Sequence, residues 1–294
     1  MRLALPPAVL HIGTMNFGGR TPAPEARRIV DRALERGLTH FDTANLYGRG
    51  ESERVLGEAL RGRRERAFVA TKCGVNEGLS RQRVLAAADE SLQRLGMDHV
   101  DLFYLHTPDP KTPLDETLDA IAELLERGKV KAWGVSNYAA WEIFELQQKA
   151  DARRMPRPAF SQVLYNLLIR QLDVEYFAFA RRHPIHTTVY NPLCGGMLAG
   201  GSRLKNNPMY RKRYGALDEA AERYRAALGL DLVTLAYAWL AGRPGVDSIL
   251  CGPGTLAHLD AAIDACAVEL PTEVREKIEQ VHYELVRTDA RYAR

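Results

Sequence analysis

The chain has 294 residues, 46% of them hydrophobic and 26% charged, the usage of a globular protein rather than a disordered or fibrous one. Lys+Arg 40 against Asp+Glu 37 leaves a net charge of +3, with the basic residues scattered along helical stretches, which excludes the basic stripe of a nucleic-acid binder. The four cysteines (Cys73, Cys194, Cys251, Cys266) have neither CxxC spacing nor neighbouring His pairs, so no metal and no disulfide framework is expected, and a reducing cytoplasm fits best.

In chain order, short β-rich apolar runs predict strands at 9–14, 38–43, 66–72, 99–106, 129–136, 159–165, 185–191 and 247–252. Amphipathic stretches lie between them. Ala26, Ile29, Val30, Ala33 and Leu34 recur at helical spacing before Gly37. Ser80 can cap a helix carrying Val84, Leu85, Ala88, Leu92 and Leu95, with Gly96 beyond it. Thr112-Pro113-x-Asp115 reads as an N-cap, a proline at the first helical position and an acidic residue at N3. Asp231 and Thr255 are further cap candidates. The opening MRLALPPAVL is too short and proline-interrupted for a signal peptide, and no apolar run approaches about 18 residues, so no membrane is expected.

Strands alternating with helices imply a parallel sheet, because parallel neighbours need crossover connections. Eight such strands close a barrel. The competing doubly wound sheet normally carries GxGxxG after its first strand, and HIGTMNFGGR lacks it. The fold expected is therefore α/β, a (β/α)8 TIM barrel formed by one domain spanning 1–294. Two stretches break its rhythm. Residues 191–217 form a connection long enough to suggest function, and 285–294 form a polar tail that could fray or fold over the barrel mouth.

In such a barrel the chemistry gathers at the C-terminal ends of the strands. Asp42 ends the second predicted strand with Tyr47 in the loop behind it, Lys72 ends the third and His106 the fourth. Each alone has a plain explanation, as a cap, a loop aromatic, a surface lysine or a hydrogen-bonded histidine. Four on neighbouring strand ends point to proton donation. A free tyrosine titrates near about 10. A lysine beside it favours the phenolate and should lower that value, and Asp42 can supply the counter-charge that a buried lysine needs. A neutral His106 could then orient a carbonyl oxygen. This set lacks an electron source, which a cofactor must bring.

FDTANLYG, TKCG, LFYLHTPD, GVSNY and YNPL, in this order and spacing, resemble the aldo-keto reductases, (β/α)8 enzymes that reduce carbonyls with NADPH. GVSNYAAWE, QVLYNLLIRQ, NPLCGGMLAG, MYRKRYG and the terminal YAR are most similar to the branch of aflatoxin aldehyde and succinic semialdehyde reductases. The resemblance spans nearly the whole chain. It implies Tyr47 as the acid of a tetrad with Asp42, Lys72 and His106. It implies that Ser136, Asn137 and Gln162 hold the nicotinamide carboxamide beside Asp42, with Tyr190 against the ring. Asn191, Pro192, Leu193, Gly195, Gly196, Leu198 and Gly200 match the segment around the pyrophosphate, where glycines let backbone N–H groups approach phosphate. Arg203 matches a basic residue near the cofactor.

After the eighth strand the branch carries a serine pair, a glutamine and an asparagine around the adenosine phosphate. Here the segment reads CGPGTLAHLDAAID, with Gly254, Thr255, His258 and Ala262 at those positions. NADPH is the cofactor that the resemblance implies, and this departure leaves NADH open. Tyr210, Arg213 and Arg294 match positions lining the substrate pocket, and two arginines suit an anionic substrate. The resemblance implies a small-molecule aldehyde as partner and allows a homodimer. Two functions remain at this point: an NAD(P)H-dependent reductase of small aldehydes, including carboxylate-bearing ones, or a pyridine-nucleotide-binding redox sensor associated with a channel.

Overall fold

A computed structural model describes residues 10–200, 208–229, 231–288 and 290. Arg203, Arg294 and the side chain of Tyr210 lie outside the described part. The eight strands are β1 (Leu10–Gly13), β2 (His40–Asp42), β3 (Phe68–Cys73), β4 (Val100–Leu105), β5 (Val130–Ser136), β6 (Phe160–Leu164), β7 (His186–Tyr190) and β8 (Ser248–Cys251). Each falls on the apolar run that announced it. All neighbours pair in parallel and β8 returns to β1, closing the barrel.

Two bodies of apolar side chains follow from the period of two along a strand. Alternate residues point outward against the helices, among them Ile12, Phe41, Val69, Phe103, Val135 and Val189, and form the larger core. The other parity fills the lumen, where Ala70, Leu102, Tyr104, Ala132 and Phe160 cluster separately. The helices bury matching stripes, as the helix Ala23–Glu35 does with Ala26, Ile29, Val30, Ala33 and Leu34. Helix Glu51–Leu60 meets helix Arg81–Leu95 at Gly57, where a Cβ would stand 2.2 Å from the carbonyl oxygen of Leu95. No larger residue fits there.

The caps explain where several helices begin. Ser80 Oγ accepts from the backbone N–H of Arg83 at 3.4 Å, and Asp231 Oδ2 accepts from that of Thr234 at 2.9 Å. The expected cap at Thr112 is not formed. Its hydroxyl donates to Asp109 Oδ2 at 2.6 Å, and the helix starts at Leu114 with Pro113 as its N-cap residue. Asp109 is the stronger acceptor, since it also takes the backbone N–H groups of Leu79 and Lys111.

The long connection after β7 holds a short 3-10 segment, Cys194–Ala199, and a helix, Pro208–Tyr214, with 201–207 outside the described residues. The last helix, Thr272–Val286, runs into the segment expected as tail. A closure of the mouth by that tail falls on 289 and 291–294, outside the described residues. Among the described residues, no helix is long and apolar enough to cross a membrane and no group of His, Cys, Asp or Glu could hold a metal ion.

Candidate active site

Parallel register sets Asp42 beside Ala70 and Lys72 beside Tyr104, so the inward parity of β2 and β3 delivers an acid and a base to one lumen. Both side chains are fully buried, and Lys72 Nζ forms an ion pair with Asp42 Oδ1. Nζ donates a second hydrogen bond to the carbonyl oxygen of Thr43 at 2.8 Å. The other carboxylate oxygen, Asp42 Oδ2, accepts from Gln162 Nε2 at 2.8 Å. Gln162 thus crosses the mouth from β6, where the resemblance placed it against a carboxamide.

Burial alone would lower the Lys72 ammonium, but Asp42 and Tyr47 more than offset this and hold it above its ordinary value. Burial pushes the Asp42 carboxyl upward, opposed by Lys72 and by the bond from Gln162. Such a pair holds together because each charge meets the other and further hydrogen bonds.

Tyr47 opens a turn, Tyr47–Gly50, whose residues Gly48, Arg49 and Gly50 all have left-handed φ (56°, 57° and 88°). That turn folds the phenol back over the ion pair, with Lys72 Nζ 5.2 Å from the ring centroid. The expected lowering of the phenol is not the net result. Burial is the largest influence and raises it, while Lys72 works against the rise by charge and hydrogen bond. Tyr47 rests as a neutral phenol poised against a cation.

His106 follows β4 and stands edge-on to Tyr47, with ring centroids 6.0 Å apart at 84°. Burial, aided by the Lys72 charge, lowers its imidazole to about 3, so it is neutral at pH 7. Its Nδ1 is buried without a hydrogen-bond partner.

Ser136, buried at the end of β5, accepts from Asn137 Nδ2 at 3.1 Å, and the same amide donates to the His106 carbonyl at 2.9 Å. Tyr190 donates its hydroxyl proton to Asn137 Oδ1 at 2.7 Å. Asn137 is exposed and left-handed (φ 64°), a conformation that asparagine tolerates better than most residues. The strand ends of β4, β5 and β7 are laced together through it.

After β7, Asn191 Oδ1 accepts from the backbone N–H of Gly195 at 2.6 Å and folds the loop into a tight ring. Gly195, Gly196 and Gly200 have φ of 68°, 93° and 92°, and Cys194 precedes them at 49°. The backbone N–H groups of Cys194, Gly196, Leu198 and Gly200 close this ring from within, donating to the carbonyl oxygens of Asn191, Leu193, Leu193 and Met197. Pro192 and Leu198 are buried beneath the ring and Leu193 partly so. Arg213 lies exposed on helix Pro208–Tyr214, over the Tyr214 ring, and its charge partly offsets the burial that raises the Tyr190 phenol.

After β8, Thr255 Oγ1 is engaged as the N-cap of helix Leu256–Cys266, accepting from the backbone N–H of His258 at 3.3 Å. Gly254 gives its carbonyl to the Thr21 hydroxyl at 3.0 Å, and His258 is exposed. These three therefore line the same rim as the tetrad residues but do not touch them.

Sequence reasoning missed the second tier around the ion pair: Thr14, Thr43 and Ser52, whose hydroxyls are wholly buried behind it. The one local signal was a serine two residues past Gly50 on a helix whose neighbours Val55 and Leu56 face inward.

The protein is a (β/α)8 barrel, closed by eight parallel strands, whose mouth gathers a buried carboxylate–lysine pair, a phenol and a neutral imidazole. The family model described as the Aldo/keto reductase family matches residues 9–282, and the chain belongs to that family. The chain is 33% identical to the uncharacterized oxidoreductase YrpG of Bacillus subtilis, over 92% of its length and 91% of that protein's. It is 40% identical to human aflatoxin B1 aldehyde reductase member 2 over 201 residues, 66% of this chain and 56% of that one, in keeping with the branch its motifs resemble. A probable voltage-gated potassium channel subunit beta of Arabidopsis thaliana is 31% identical over 91% of this chain and 90% of its own.

Proposed function

We propose that the protein reduces small aldehydes, with Tyr47 as the general acid and a nicotinamide dinucleotide as reductant. The observation that carries this reading is the fully buried Asp42–Lys72 pair beneath the Tyr47 ring. The residues present fit such a cofactor: an exposed Asn137 amide between Ser136 and Tyr190, and beside them a tight ring at 191–200 whose glycines put little side-chain bulk in the way of a bound group. Ser136, Asn137 and Tyr190 would hold the nicotinamide end, and the ring from Asn191 to Gly200 the pyrophosphate. When bound, the nicotinamide supplies the hydride that reaches the carbonyl carbon.

The chain's own residues handle the proton. The phenol of Tyr47 hydrogen-bonds the carbonyl oxygen and gives up its proton as negative charge develops there. Lys72 stabilises the phenolate left behind, and Asp42 with Gln162 keeps Lys72 charged and fixed. His106, held neutral by burial, offers a ring N–H to the same oxygen and keeps it in line. Arg213 at the rim favours substrates that carry a carboxylate, such as succinic semialdehyde. NADPH is the cofactor that the resemblance favours, with NADH the alternative at the altered rim of Gly254, Thr255 and His258.

Tyr47→Phe tests the reading. Turnover of 4-nitrobenzaldehyde followed at 340 nm should fall roughly 10²–10⁴-fold, while the dissociation constant of NADPH, read from fluorescence quenching, stays within about twofold. Retention of most of the activity would remove Tyr47 from the mechanism. A second reading, a nucleotide-binding subunit with little turnover, is favoured by the length over which the channel subunit matches. It would be upheld by tight NADPH binding in the wild-type protein without measurable reduction of any aldehyde in a panel.

A further inference from the structure

The turn that presents Tyr47 carries three consecutive left-handed residues, Gly48, Arg49 and Gly50. Its own backbone bonds are local ones, from Tyr47 N–H to Ala44 O and from Arg49 N–H to Leu46 O, both at 3.1 Å. Helix Glu51–Leu60, which the turn leads into, carries in its first turn a residue that ties it to the strand ends.

Ser52 Oγ donates to the carbonyl oxygen of Thr14 at 2.7 Å. It also lies 2.9 Å from Thr43 Oγ1 and 2.8 Å from Thr14 Oγ1. All three hydroxyls are completely buried. Each carries one proton. With the Ser52 proton on Thr14 O, the Thr43 hydroxyl donates to Ser52 Oγ. The single Thr14 hydroxyl proton is shared between Ser52 Oγ at 2.8 Å and the carbonyl oxygen of Asp42 at 3.1 Å. The backbone N–H of Thr14 reaches that same oxygen at 2.9 Å.

The knot therefore grips the backbone of Asp42 and Thr43, and the Thr43 carbonyl is the one that Lys72 Nζ contacts. One hydroxyl joins the end of β1, the end of β2 and the helix that the Tyr47 turn leads into. The next residue reinforces it. Glu53, also fully buried, accepts from Thr71 Oγ1 at 2.6 Å and from Arg94 Nε at 2.5 Å, and Thr71 is the neighbour of Lys72 on β3. The Arg94 side chain in turn fills the space that a Cβ on Gly50 would need.

We propose that Ser52 is a positioning residue: its buried three-hydroxyl knot sets the placement of Tyr47 relative to Lys72. It touches neither substrate nor cofactor and acts through the turn and through the Thr43 carbonyl. The inference rests on the reading of Tyr47 as the acid. Groups facing the Tyr47 phenol are Lys72, Asp42 and Tyr190 by charge and His106 by ring contact. Of these, Lys72 favours the phenolate, so a phenol that drifts from it holds its proton to higher pH.

The experiment compares Ser52→Ala, Thr43→Val, Tyr47→Phe and a control, Thr117→Val, as full-length proteins. Thr117 is a buried threonine of helix Leu114–Glu126 whose hydroxyl donates to Leu79 O at 2.8 Å and takes no part in the knot. Ser52→Ala should lower kcat for 4-nitrobenzaldehyde roughly ten- to a hundredfold with KM within about twofold, because small misplacements of a reacting group cost that much. The alkaline limb of its kcat profile should move to higher pH, and NADPH affinity should hold. Thr43→Val, which removes the knot from the strand side, should move the limb the same way, and serves alone if Ser52→Ala does not fold. Thr117→Val should lose stability and leave kcat and the limb in place. A wild-type kcat and limb in Ser52→Ala or Thr43→Val, beside an inactive Tyr47→Phe, would overturn the positioning role alone. Activity surviving in Tyr47→Phe would overturn both the role and the reading on which it rests.

Discussion

Acidification should destabilise this protein between pH 7 and 5, and His11 should be a principal cause. His11 on β1 and His40 on β2 occupy the lumen one pleat below Gly13 and Asp42, stacked with ring centroids 3.7 Å apart at 10°. His186 on β7 lies parallel to His11 at 6.0 Å. Neither ring nitrogen of His11 has a partner, nor does Nδ1 of His40. Burial, together with His186, lowers His11 to about 3. Burial lowers His40 well below its ordinary value, with His11, His186 and Lys72 adding to the effect. Among the described residues, the acid acting by charge is Asp247, which pulls His186 upward against the larger effect of burial.

The sign is fixed by which state binds more protons. An imidazole whose folded pKa is about 3 stays neutral in the barrel, whereas in the unfolded chain it takes a proton near about 6.5. Stability is therefore complete above that unfolded value and is lost as the pH falls toward the folded one. Between pH 7 and 5 one such residue removes about 2 kcal/mol, and His11 with His106 about 4 kcal/mol together. That is a large share of a typical ~5–15 kcal/mol. Carboxylates whose pKa is lowered by folding, such as Asp173, lose their contribution below about pH 5 and so act beneath this window. Urea unfolding followed by tryptophan fluorescence at pH 7, 6 and 5 measures the loss. His11→Phe keeps a flat ring against His40 and should shrink the loss between pH 7 and 5 by about 2 kcal/mol, whatever it does to stability at pH 7. Equal losses in wild type and variant would refute the reasoning.

Asp42→Asn should cost about 3–5 kcal/mol of stability, since it leaves the Lys72 ammonium buried without its counter-charge. Adding Lys72→Met should restore part of that loss in chemical denaturation, and a double mutant less stable than Asp42→Asn would contradict the ion-pair account. Arg213→Ala should raise KM for succinic semialdehyde roughly tenfold or more, as expected for a lost charge-assisted contact. The uncharged 4-nitrobenzaldehyde should be unaffected, and equal losses on both substrates would place Arg213 in the support of its loop instead.

The barrel was legible because its signals are local. Each strand announced itself as a short apolar run, and Ser80, Asp231 and Thr255 cap helices as their positions suggested. The gathering of Asp42, Lys72 and His106 was legible because each stands at, or within one residue of, a strand's end, and strand ends in a barrel share one face. Contacts between distant strands were not legible. Gln162 reaches Asp42 across 120 residues and Ser52 meets Thr14 across 38, and neither spacing has a periodic signature. Thr112 misled because a better acceptor, Asp109, stands three residues before it.

The parity that built the site also built the histidine stack. His40 and Asp42 share the inward face of β2, and register places His11 beside His40 just as it places Gly13 beside Asp42. A strand that delivers a carboxylate to the mouth must therefore deliver whatever stands two residues earlier to the lumen below. Here that residue is an imidazole, stacked on another and lying within the field of Lys72. An ammonium held charged above and the His11–His40 pair held neutral beneath are compatible because the ammonium has Asp42 beside it, whereas among the described residues no acid acts on that pair. Protonating the stack would set cation against cation in the same dry lumen. The charge of the Asp42–Lys72 pair and the neutrality of the histidines are thus two aspects of one electrostatic arrangement, fixed by which side of each strand faces inward.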